Sequence, residues 1–247
     1  MKFQTTKIKQ EIDIKNIDNN SKDKIVQPEY CNLKLIPKLN TSSLIVGRSG
    51  SGKSILLTNL LNNCYTDTFK LKVLISPTAK IDNVQSDMKA DIIIPDLKEA
   101  VEFLIGLMKF QEKTISEKGA DKSPLICIIF DDVMGETKFL NSAVFTSCFT
   151  RSRHYNLTVF CLSQKFTGIP KRCRVQANNL IFFKGQDSEV LGVADDFCPS
   201  NYSKKDFAAM IKWTTMEPHS FLYINMSANE DERYRKNFNE IIVLHPI

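Results

Sequence analysis

The sequence lacks several features that mark whole classes of proteins. No apolar run approaches the roughly 18 residues of a membrane helix, and the opening residues MKFQTTKIKQ lack the hydrophobic region of a signal peptide. The seven cysteines are scattered and form no C-x-x-C pair, which favours reduced thiols over a disulfide framework or a zinc site. We therefore expect a protein that is made and kept in the cytosol, without a membrane partner.

Arginine is scarce, and acidic residues are missing from one long segment. The chain has 26 Lys but only 7 Arg, and four of these arginines fall within 24 residues: Arg151, Arg153, Arg172 and Arg174. Residues 137–186 contain eight Lys and Arg and no Asp or Glu. That segment has a charge of +8, whereas the whole chain has a net charge of +5, so the other residues together have a charge of −3. The positive charge is therefore local, which favours a phosphate-bearing partner for this segment.

Short uncharged runs alternate with amphipathic stretches from Tyr30 onward, without an internal repeat or a glycine-rich linker. Runs that are apolar on both faces are typical of strands buried within a sheet. We predict strands at Leu44–Val46, Val73–Ile75, Ile92–Ile94, Ile126–Phe130, Thr158–Leu162, Leu180–Phe183, Phe221–Ile224 and Ile241–Leu244. We predict helices at Ser54–Leu61, Leu97–Lys118, Lys138–Phe149, Glu189–Ala194 and Lys204–Ile211. This alternation predicts an α/β fold with a mostly parallel central sheet flanked by helices.

A phosphate-binding loop follows the first of these strands. The residues Gly47-Arg48-Ser49-Gly50-Ser51-Gly52-Lys53-Ser54 match the pattern G-x-x-x-x-G-K-[ST] between a strand and a helix. Glycines let successive backbone N–H groups turn towards a phosphate, and the helix N-terminus adds a favourable dipole. We expect Lys53 to reach the β- and γ-phosphates of a nucleotide and the Ser54 hydroxyl to bind Mg²⁺.

Two carboxylates end the strand Ile126–Phe130. Carboxylates are costly beside a core unless an ion or hydrogen bonds compensate them, so Asp131 and Asp132 are candidates for chemistry. Because strand side chains alternate, we expect different roles: Asp131 holds Mg²⁺ through water, and Asp132 orients or deprotonates the attacking water. Glu136 is a second candidate for the base, and a strand that simply leaves the core through two acids is the plain alternative.

Gln164 follows the next buried strand and is a candidate γ-phosphate sensor. Polar residues at the carboxyl ends of parallel strands line the crevice where α/β proteins bind ligands. An ordinary loop amide is the alternative. The N-K-x-D motif of GTPases is absent, because Ser203-Lys204-Lys205-Asp206 lacks the Asn. We therefore expect ATP rather than GTP as the nucleotide.

Together these segments resemble one family. They resemble the genome-packaging ATPases of large DNA viruses and virophages, a viral branch of the FtsK–HerA superfamily. The segments that carry the resemblance are the loop Gly47–Ser54, the strand Ile126–Asp132, Arg151–His154 before the strand that ends at Ser163-Gln164, and Pro170–Asn178. The resemblance covers roughly residues 30–185. One departure is Asp131-Asp132, where cellular members usually have Asp-Glu, so the residue that activates water stays open between Asp132 and Glu136.

The resemblance implies a RecA-like P-loop core in which an extra strand separates the phosphate-loop strand from the acidic strand. It implies an ATPase that threads double-stranded DNA into a preformed capsid as a homo-oligomeric ring, with a capsid or portal-vertex protein as partner. It places the protein in the host cytoplasm, at viral factories, and transiently on the virion. We expect a polar N-terminal arm at 1–29 and a single ATPase domain at 30–247, with core motifs in 44–185 and a sheet extension in 186–247.

The clustered arginines are candidates for the cation that ring ATPases bring to the γ-phosphate. Guanidinium matches phosphate oxygens better than the lysine ammonium does. Arg153 or Arg151 is a candidate finger acting in trans, and Arg174 a second phosphate-facing or interface residue. A solvated basic face is the alternative for each. His154 is as compatible with packing as with function.

Four further cations are candidates for lining a DNA pore: Lys165, Lys171, Arg172 and Lys184. Contacts to phosphates carry no base information and weaken steeply with salt. Phe166 is either a DNA contact or a core anchor. Three other functions stay open: a small-molecule kinase, a nucleotide-dependent scaffold or assembly protein, and a helicase, for which the chain is short.

Overall fold

The computed structural model describes residues 3–7, 35–79 and 87–243. Its strands are β1 (Gln4–Lys7), β2 (Ser42–Val46), β3 (Leu71–Ile75), β4 (Ile92–Ile94), β5 (Ile126–Asp131), β6 (Leu157–Ser163), β7 (Asn179–Phe183), β8 (Phe221–Asn225), β9 (Tyr234–Lys236) and β10 (Glu240–Val243). Its α-helices are α1 (Lys53–Asn59), α2 (Leu97–Lys118), α3 (Thr137–Leu140), α4 (Ala143–Thr150), α5 (Lys171–Arg174), α6 (Asp187–Phe197) and α7 (Lys204–Thr214). A π-helical turn, Leu60–Cys64, continues α1, and 3-10 turns lie at Ala120–Lys122, Ser152–Tyr155 and Glu230–Glu232.

All ten strands form one sheet in the order β1-β10-β9-β8-β7-β2-β6-β5-β3-β4. The six strands from β7 to β4 pair in parallel, and β8, β9, β10 and β1 continue the sheet in antiparallel fashion. Strand β6 lies between the phosphate-loop strand β2 and the acidic strand β5. The predicted α/β fold and its mostly parallel centre are confirmed, and β6 lies where the extra strand was expected.

Apolar cores fill both faces of the sheet because the central strands are buried on both sides. Along β2, Leu44 and Val46 contact one core, and Ile45 contacts the other. The first core contains side chains of α2, α4, α6 and α7, and the second contains those of α1. Each such aliphatic side chain contributes roughly 1.5–3 kcal/mol when fully buried, so the sheet is a rigid support for the loops at its edges.

Helix boundaries follow local capping chemistry. Helix α2 begins after Asp96, whose carboxylate accepts a hydrogen bond from the Lys98 N–H over 2.7 Å, and it ends at Gly119, with φ at +84°. The single helix predicted at Lys138–Phe149 is wrong: α3 and α4 are separate helices. Ser142 divides them, since its hydroxyl accepts a hydrogen bond from the Phe145 N–H over 3.2 Å as the N-cap of α4.

Part of the N-terminal segment is a sheet strand that the sequence pattern did not indicate. Strand β1 pairs antiparallel with β10, and the Thr5 hydroxyl donates to the Glu240 carboxylate over 2.9 Å. The ring of Phe3 packs on Trp213 at 5.5 Å. Residues 8–34, including most of the predicted arm and Cys31, lie outside the described residues, as does Leu244 at the end of the last predicted strand.

No disulfide bond joins the six cysteines among the described residues, which are Cys64, Cys127, Cys148, Cys161, Cys173 and Cys198. In the part of the chain that the structure describes, no helix is both long and apolar enough to cross a membrane.

Candidate active site

The phosphate loop, the acidic strand end and the predicted sensor meet at one edge of the sheet. Parallel register places Val46 beside Ser163 and Asp131 beside Leu162, so β2, β6 and β5 end side by side. A cavity of about 280 Å³ opens there. Its lining consists of Ser49, Gly50, Ser51, Gly52, Lys53, Ser54, Ile55, Thr78, Asp131, Asp132, Leu162, Ser163 and Gln164.

Glycine is required at three positions of the loop, for two different reasons. A Cβ on Gly47 would lie 2.6 Å from the Ser51 hydroxyl oxygen and 2.7 Å from the Phe183 Cβ, so no side chain fits. Gly50 and Gly52 have φ values of +74° and +102°, which strain other residues. The close packing and the left-handed turns give the loop the tight curvature of a phosphate cradle.

Lys53 folds back onto its own loop. Its ammonium donates to the carbonyl oxygens of Gly47 and Arg48 over 2.7 and 3.0 Å. Burial lowers the pKa of Lys53 below its ordinary value, while the nearby charges of Asp131 and Asp132 oppose that shift. The lysine is therefore a partly desolvated cation between the loop and the two carboxylates, where a polyphosphate would bind.

The two aspartates sit differently at the end of β5. Asp131 is the last residue of the strand and is half-buried, whereas Asp132 is exposed and has φ at +54°, in the left-handed region. Such a conformation costs a non-glycine residue roughly 1–3 kcal/mol and is concentrated at functional sites. Both carboxylates line the cavity. Glu136 is exposed and lines a separate cavity with Pro95 and Asp96. The geometry therefore favours Asp132 over Glu136 as the residue that activates the attacking water.

The donor set fits a magnesium nucleotide. The Ser54 hydroxyl and the Asp131 carboxylate supply the oxygen ligands that Mg²⁺ prefers, and this ion usually keeps several waters and substrate phosphates as its other ligands. Among the described residues no group of three or more His, Cys, Asp or Glu could hold a metal alone. The Ser51 hydroxyl is buried without a protein partner among the described residues.

Gln164 is exposed at the end of β6 and lines the cavity. The neighbouring Ser163 hydroxyl accepts a hydrogen bond from the Lys165 N–H over 3.1 Å and donates to the Lys165 carbonyl over 2.7 Å. Two residues further along the loop, the Thr167 N–H and hydroxyl donate to the Glu189 carboxylate over 3.0 and 2.7 Å. The loop is therefore fixed on both sides of the Gln164–Lys165 pair, whose side chains point outward.

Two residues of the site were missed by the sequence analysis. Thr78 lines the cavity beyond β3, with its hydroxyl 3.2 Å from that of Ser76. A search for polar residues at the ends of all predicted strands, as applied to Gln164, would have found it. His219 contacts the phosphate loop through the Ser51 carbonyl at 3.2 Å. No local sequence signal indicates that contact, because the two residues are 168 positions apart.

The candidate finger arginines do not lie near their own phosphate loop. Arg151 and Arg153 are exposed in the turn that precedes β6, whereas Gln164 follows the last residue of that strand. At about 3.3 Å per residue, the seven residues of β6 separate the two ends by roughly 20 Å. Within one subunit, therefore, neither arginine reaches the cavity. His154, in the same turn, is also exposed.

Arg174, predicted as a phosphate-facing or interface residue, faces its own chain. Its Nε donates to the Asp196 carboxylate over 2.8 Å, and one terminal nitrogen points at the carbonyls of Thr167 and Ile169 at 3.3 and 3.2 Å. Its guanidinium carbon lies 4.7 Å from the centre of the Phe166 ring. That ring is fully buried, so Phe166 is a core anchor and the DNA-contact alternative is wrong.

The four candidate DNA cations are all exposed but differ in their partners. Lys165 and Lys184 follow β6 and β7 and therefore lie at the edge that carries the phosphate loop. Lys171 lies 3.8 Å from Asp196, and Arg172 donates to the Thr146 hydroxyl over 2.9 Å and to the Asn141 side chain over 3.1 Å. Of the four, Lys165 and Lys184 therefore lie at the same edge of the sheet as the nucleotide cavity.

Similar proteins of known structure share this fold. The genome packaging NTPase B204 from Sulfolobus turreted icosahedral virus 2, solved in complex with AMP, is 14% identical, with a TM-score of 0.57 over 84% of this chain and 98% of that chain. The pCW3 conjugation coupling protein TcpA with ATPγS is 14% identical, with a TM-score of 0.59 over 81% of this chain and 60% of that chain. EccC from Thermomonospora curvata is 10% identical, with a TM-score of 0.53 over 85% of this chain and 38% of that chain.

Sequence comparison gives the family. Uncharacterized protein 015R of Frog virus 3 is 25% identical over 144 residues, which are 58% of this chain and 44% of that protein, so the chain matches less than half the length of this relative. The family model described as Poxvirus A32 protein matches residues 33–231, which include the phosphate loop, both aspartates and Gln164. Because that match spans most of the chain, the protein belongs to the poxvirus A32 family.

Proposed function

We propose that the protein is an ATP-hydrolysing motor that translocates double-stranded DNA into a viral capsid as a ring of identical subunits. One observation carries the proposal: Lys53, Asp131, Asp132 and Gln164, from three separate strand ends, line one cavity of about 280 Å³. Membership of the poxvirus A32 family and the fold shared with a protein named as a genome packaging NTPase support the viral packaging role.

The residues of the cavity divide the chemistry of hydrolysis. Backbone N–H groups of the loop hold the β-phosphate, and Lys53 exchanges its loop carbonyls for phosphate oxygens. Ser54 and Asp131 would hold Mg²⁺, Asp131 through water, and the ion would neutralise charge on the phosphates. Asp132 orients the attacking water and accepts its proton, and Gln164 contacts the γ-phosphate. Phosphate release then removes this contact of Gln164.

Contact with DNA is proposed for the same edge of the sheet. Lys165 adjoins Gln164, and Lys184 follows the neighbouring strand β7. Both are exposed within a segment free of acidic residues. Ammonium groups in this arrangement bind backbone phosphates without reading bases, so binding is tolerant of sequence and weakens as salt rises. Lys171 and Arg172 extend the same basic segment along α5.

A ring supplies what one subunit lacks. Arg151 and Arg153 lie roughly 20 Å from their own cavity along β6, so they act on a γ-phosphate only when another subunit carries it. An arginine supplied in this way accelerates hydrolysis by roughly 10³–10⁵. The proposal includes docking of the ring on a capsid or portal-vertex protein, in the host cytoplasm where virions are built.

The test is ATP hydrolysis by the purified protein, measured with and without double-stranded DNA across a range of salt concentrations. We expect DNA to stimulate hydrolysis. Rising salt should abolish this stimulation before it affects the hydrolysis measured without DNA. Lys53→Ala removes the phosphate-binding ammonium and should abolish turnover, and unaltered turnover in this variant would falsify the proposal. Particle mass in the presence of ATP tests the ring.

The same assay separates the other functions. A small-molecule kinase transfers phosphate to an acceptor and ignores DNA. A nucleotide-dependent scaffold binds ATP through Lys53 without turnover. A helicase separates strands of a duplex, whereas a packaging motor moves along it without separating them.

A further inference from the structure

The turn between α7 and β8 contacts the phosphate loop from outside the cavity. The Nδ1 atom of His219 lies 3.2 Å from the carbonyl oxygen of Ser51. The same atom lies 3.3 Å from the position of a Cβ on Gly52. A carbonyl oxygen can only accept a hydrogen bond, so this contact requires the proton on Nδ1. A residue of the C-terminal sheet extension is therefore bonded to the middle of the nucleotide loop.

His219 adopts this position in an unfavourable backbone conformation. The Ser220 N–H donates to the Glu217 carbonyl over 3.2 Å, which closes a β-turn with Pro218 and His219 at its centre. The φ of His219 is +61°. Glycine or asparagine is the usual residue at the second central position when φ is positive, although histidine tolerates that region better than most residues. The turn by itself does not favour histidine, which points to a role for the side chain.

The extension supports the loop at a second place. Phe221, the first residue of β8, packs its ring on Phe183 at 5.3 Å. The Cβ of Phe183 occupies the space beside Gly47. Phe221 is itself held by Asn237, whose N–H donates to the Phe221 carbonyl over 2.9 Å. The beginning of the loop therefore rests on Phe183, and its middle is bonded to His219.

We propose that His219 is a positioning residue of the nucleotide site, which holds the Ser51 carbonyl outward so that the loop N–H groups point at the phosphates. The inference rests on the proposed function, since it takes this loop to bind nucleotide. Water could also bond to the outward carbonyl, but it would not fix the direction of the peptide. The C-terminal extension is thereby given a defined task, which is to pre-shape the loop.

The test compares His219→Gly with a matched control. Glycine relieves the positive φ while deleting the imidazole, so the variant should fold. Lys89→Gly relieves another positive φ, +49°, in the turn before β4, away from the loop. Nucleotide dissociation constants are measured by calorimetry with ADP and with a non-hydrolysable ATP analogue, and hydrogen exchange is followed in residues 48–54 without nucleotide.

For His219→Gly we expect the dissociation constant to rise about three- to tenfold, the value for one lost hydrogen bond. Exchange in the loop should accelerate, and in hydrolysis the loss should fall on KM rather than on kcat. Lys89→Gly should bind nucleotide like the wild type. Wild-type affinity in His219→Gly, or equal losses in both variants, overturns the inference. Lys53→Ala is measured in parallel: if it binds nucleotide normally, the proposed function itself fails.

Discussion

The ammonium of Lys53 donates a hydrogen bond to the carbonyl oxygen of Gly47 over 2.7 Å, so the lysine binds the start of the loop whose phosphate it should hold. A second bond to the Arg48 carbonyl, at 3.0 Å, completes this arrangement. A nucleotide must therefore compete with two loop carbonyls for the same cation. The exchange is favourable because phosphate oxygens carry full negative charge, whereas carbonyl oxygens carry only partial charge.

The first prediction concerns alkaline pH. Burial lowers the pKa of Lys53 in the free protein, and a bound polyphosphate raises it again, so nucleotide binding takes up a proton between the two values. Affinity should be constant below the lowered pKa and fall as pH rises through it. Calorimetric titration of ADP between pH 7 and 10 measures this effect.

Lys53→Arg is the matched control for that titration. Guanidinium stays charged throughout the range, so this variant should bind more weakly at pH 7 but keep its affinity as pH rises. Parallel losses in both proteins would assign the alkaline effect to another group.

The second prediction separates the two aspartates. Asp132→Asn removes the proton acceptor but suits the φ of +54°, because asparagine tolerates the left-handed region. It should bind ATP normally and hydrolyse it about 10²–10⁴ times more slowly, the usual contribution of a general base. Asp131→Asn should instead weaken the dependence of binding on Mg²⁺. Single-turnover hydrolysis and binding titrations with and without Mg²⁺ distinguish these outcomes.

Glu136→Gln is the control for Asp132→Asn. Glu136 lines a different cavity, so its variant should hydrolyse ATP at the wild-type rate. A large loss in Glu136→Gln together with a small one in Asp132→Asn would reverse the assignment of the base.

The sequence predicted those parts of the site that consist of contiguous residues. The loop from Gly47 to Ser54 and the pair Asp131-Asp132 each combine a chemical group with the strand that positions it, so a short pattern specifies both. Gln164 required one more step, the rule that parallel strands end at the same edge. Thr78 lies at the same edge, but Ser76 and Pro77 separate it from the end of β3, so no contiguous pattern marks it.

Contacts between distant segments were beyond sequence reasoning. A charge can be read from the sequence, but its partner cannot: Arg174 and Arg153 look alike, yet only Arg174 finds Asp196, 22 residues on. The same limit applies to His219, whose partner Ser51 comes from the other end of the domain. The prediction of one helix in place of α3 and α4 was a local error, because serine is more favourable as an N-cap than inside a helix, and Ser142 caps α4.

The third prediction follows from the buried ion pair. The side chains of Arg174 and Asp196 are 12% and 2% exposed, and removing Arg174 leaves the buried carboxylate with only the exposed Lys171 ammonium, 3.8 Å away. Arg174→Ala should lower the free energy of unfolding by about 3 kcal/mol. Lys171→Ala, which removes the exposed cation beside the same carboxylate, should cost no more than about 1 kcal/mol. Urea denaturation measures both values.

A double-mutant cycle gives the pairwise part of that effect. The double variant Arg174→Ala/Asp196→Asn should lose less unfolding free energy than the two single variants lose together, because in the double variant no charge of the pair remains without its partner. Additive losses would show that the two side chains do not stabilise each other. A loss of ATP affinity without a loss of stability in Arg174→Ala would return Arg174 to the nucleotide site.

The last prediction tests whether Arg153 acts between subunits. Arg153→Ala keeps its own phosphate loop but offers no arginine to a neighbour, and Lys53→Ala keeps the arginine but has no working loop. Each variant alone should be inactive. In a one-to-one mixture, a site formed by the loop of the first and the arginine of the second is complete, and random assembly produces such sites at about one quarter of all positions. ATPase activity should therefore reappear on mixing, at about a quarter of the wild-type rate.

Arg151→Ala mixed in the same way identifies which of the two arginines is supplied. If Arg153→Ala and Arg151→Ala are each fully active alone, both arginines belong to a solvated basic face, and the rate enhancement must come from another cation.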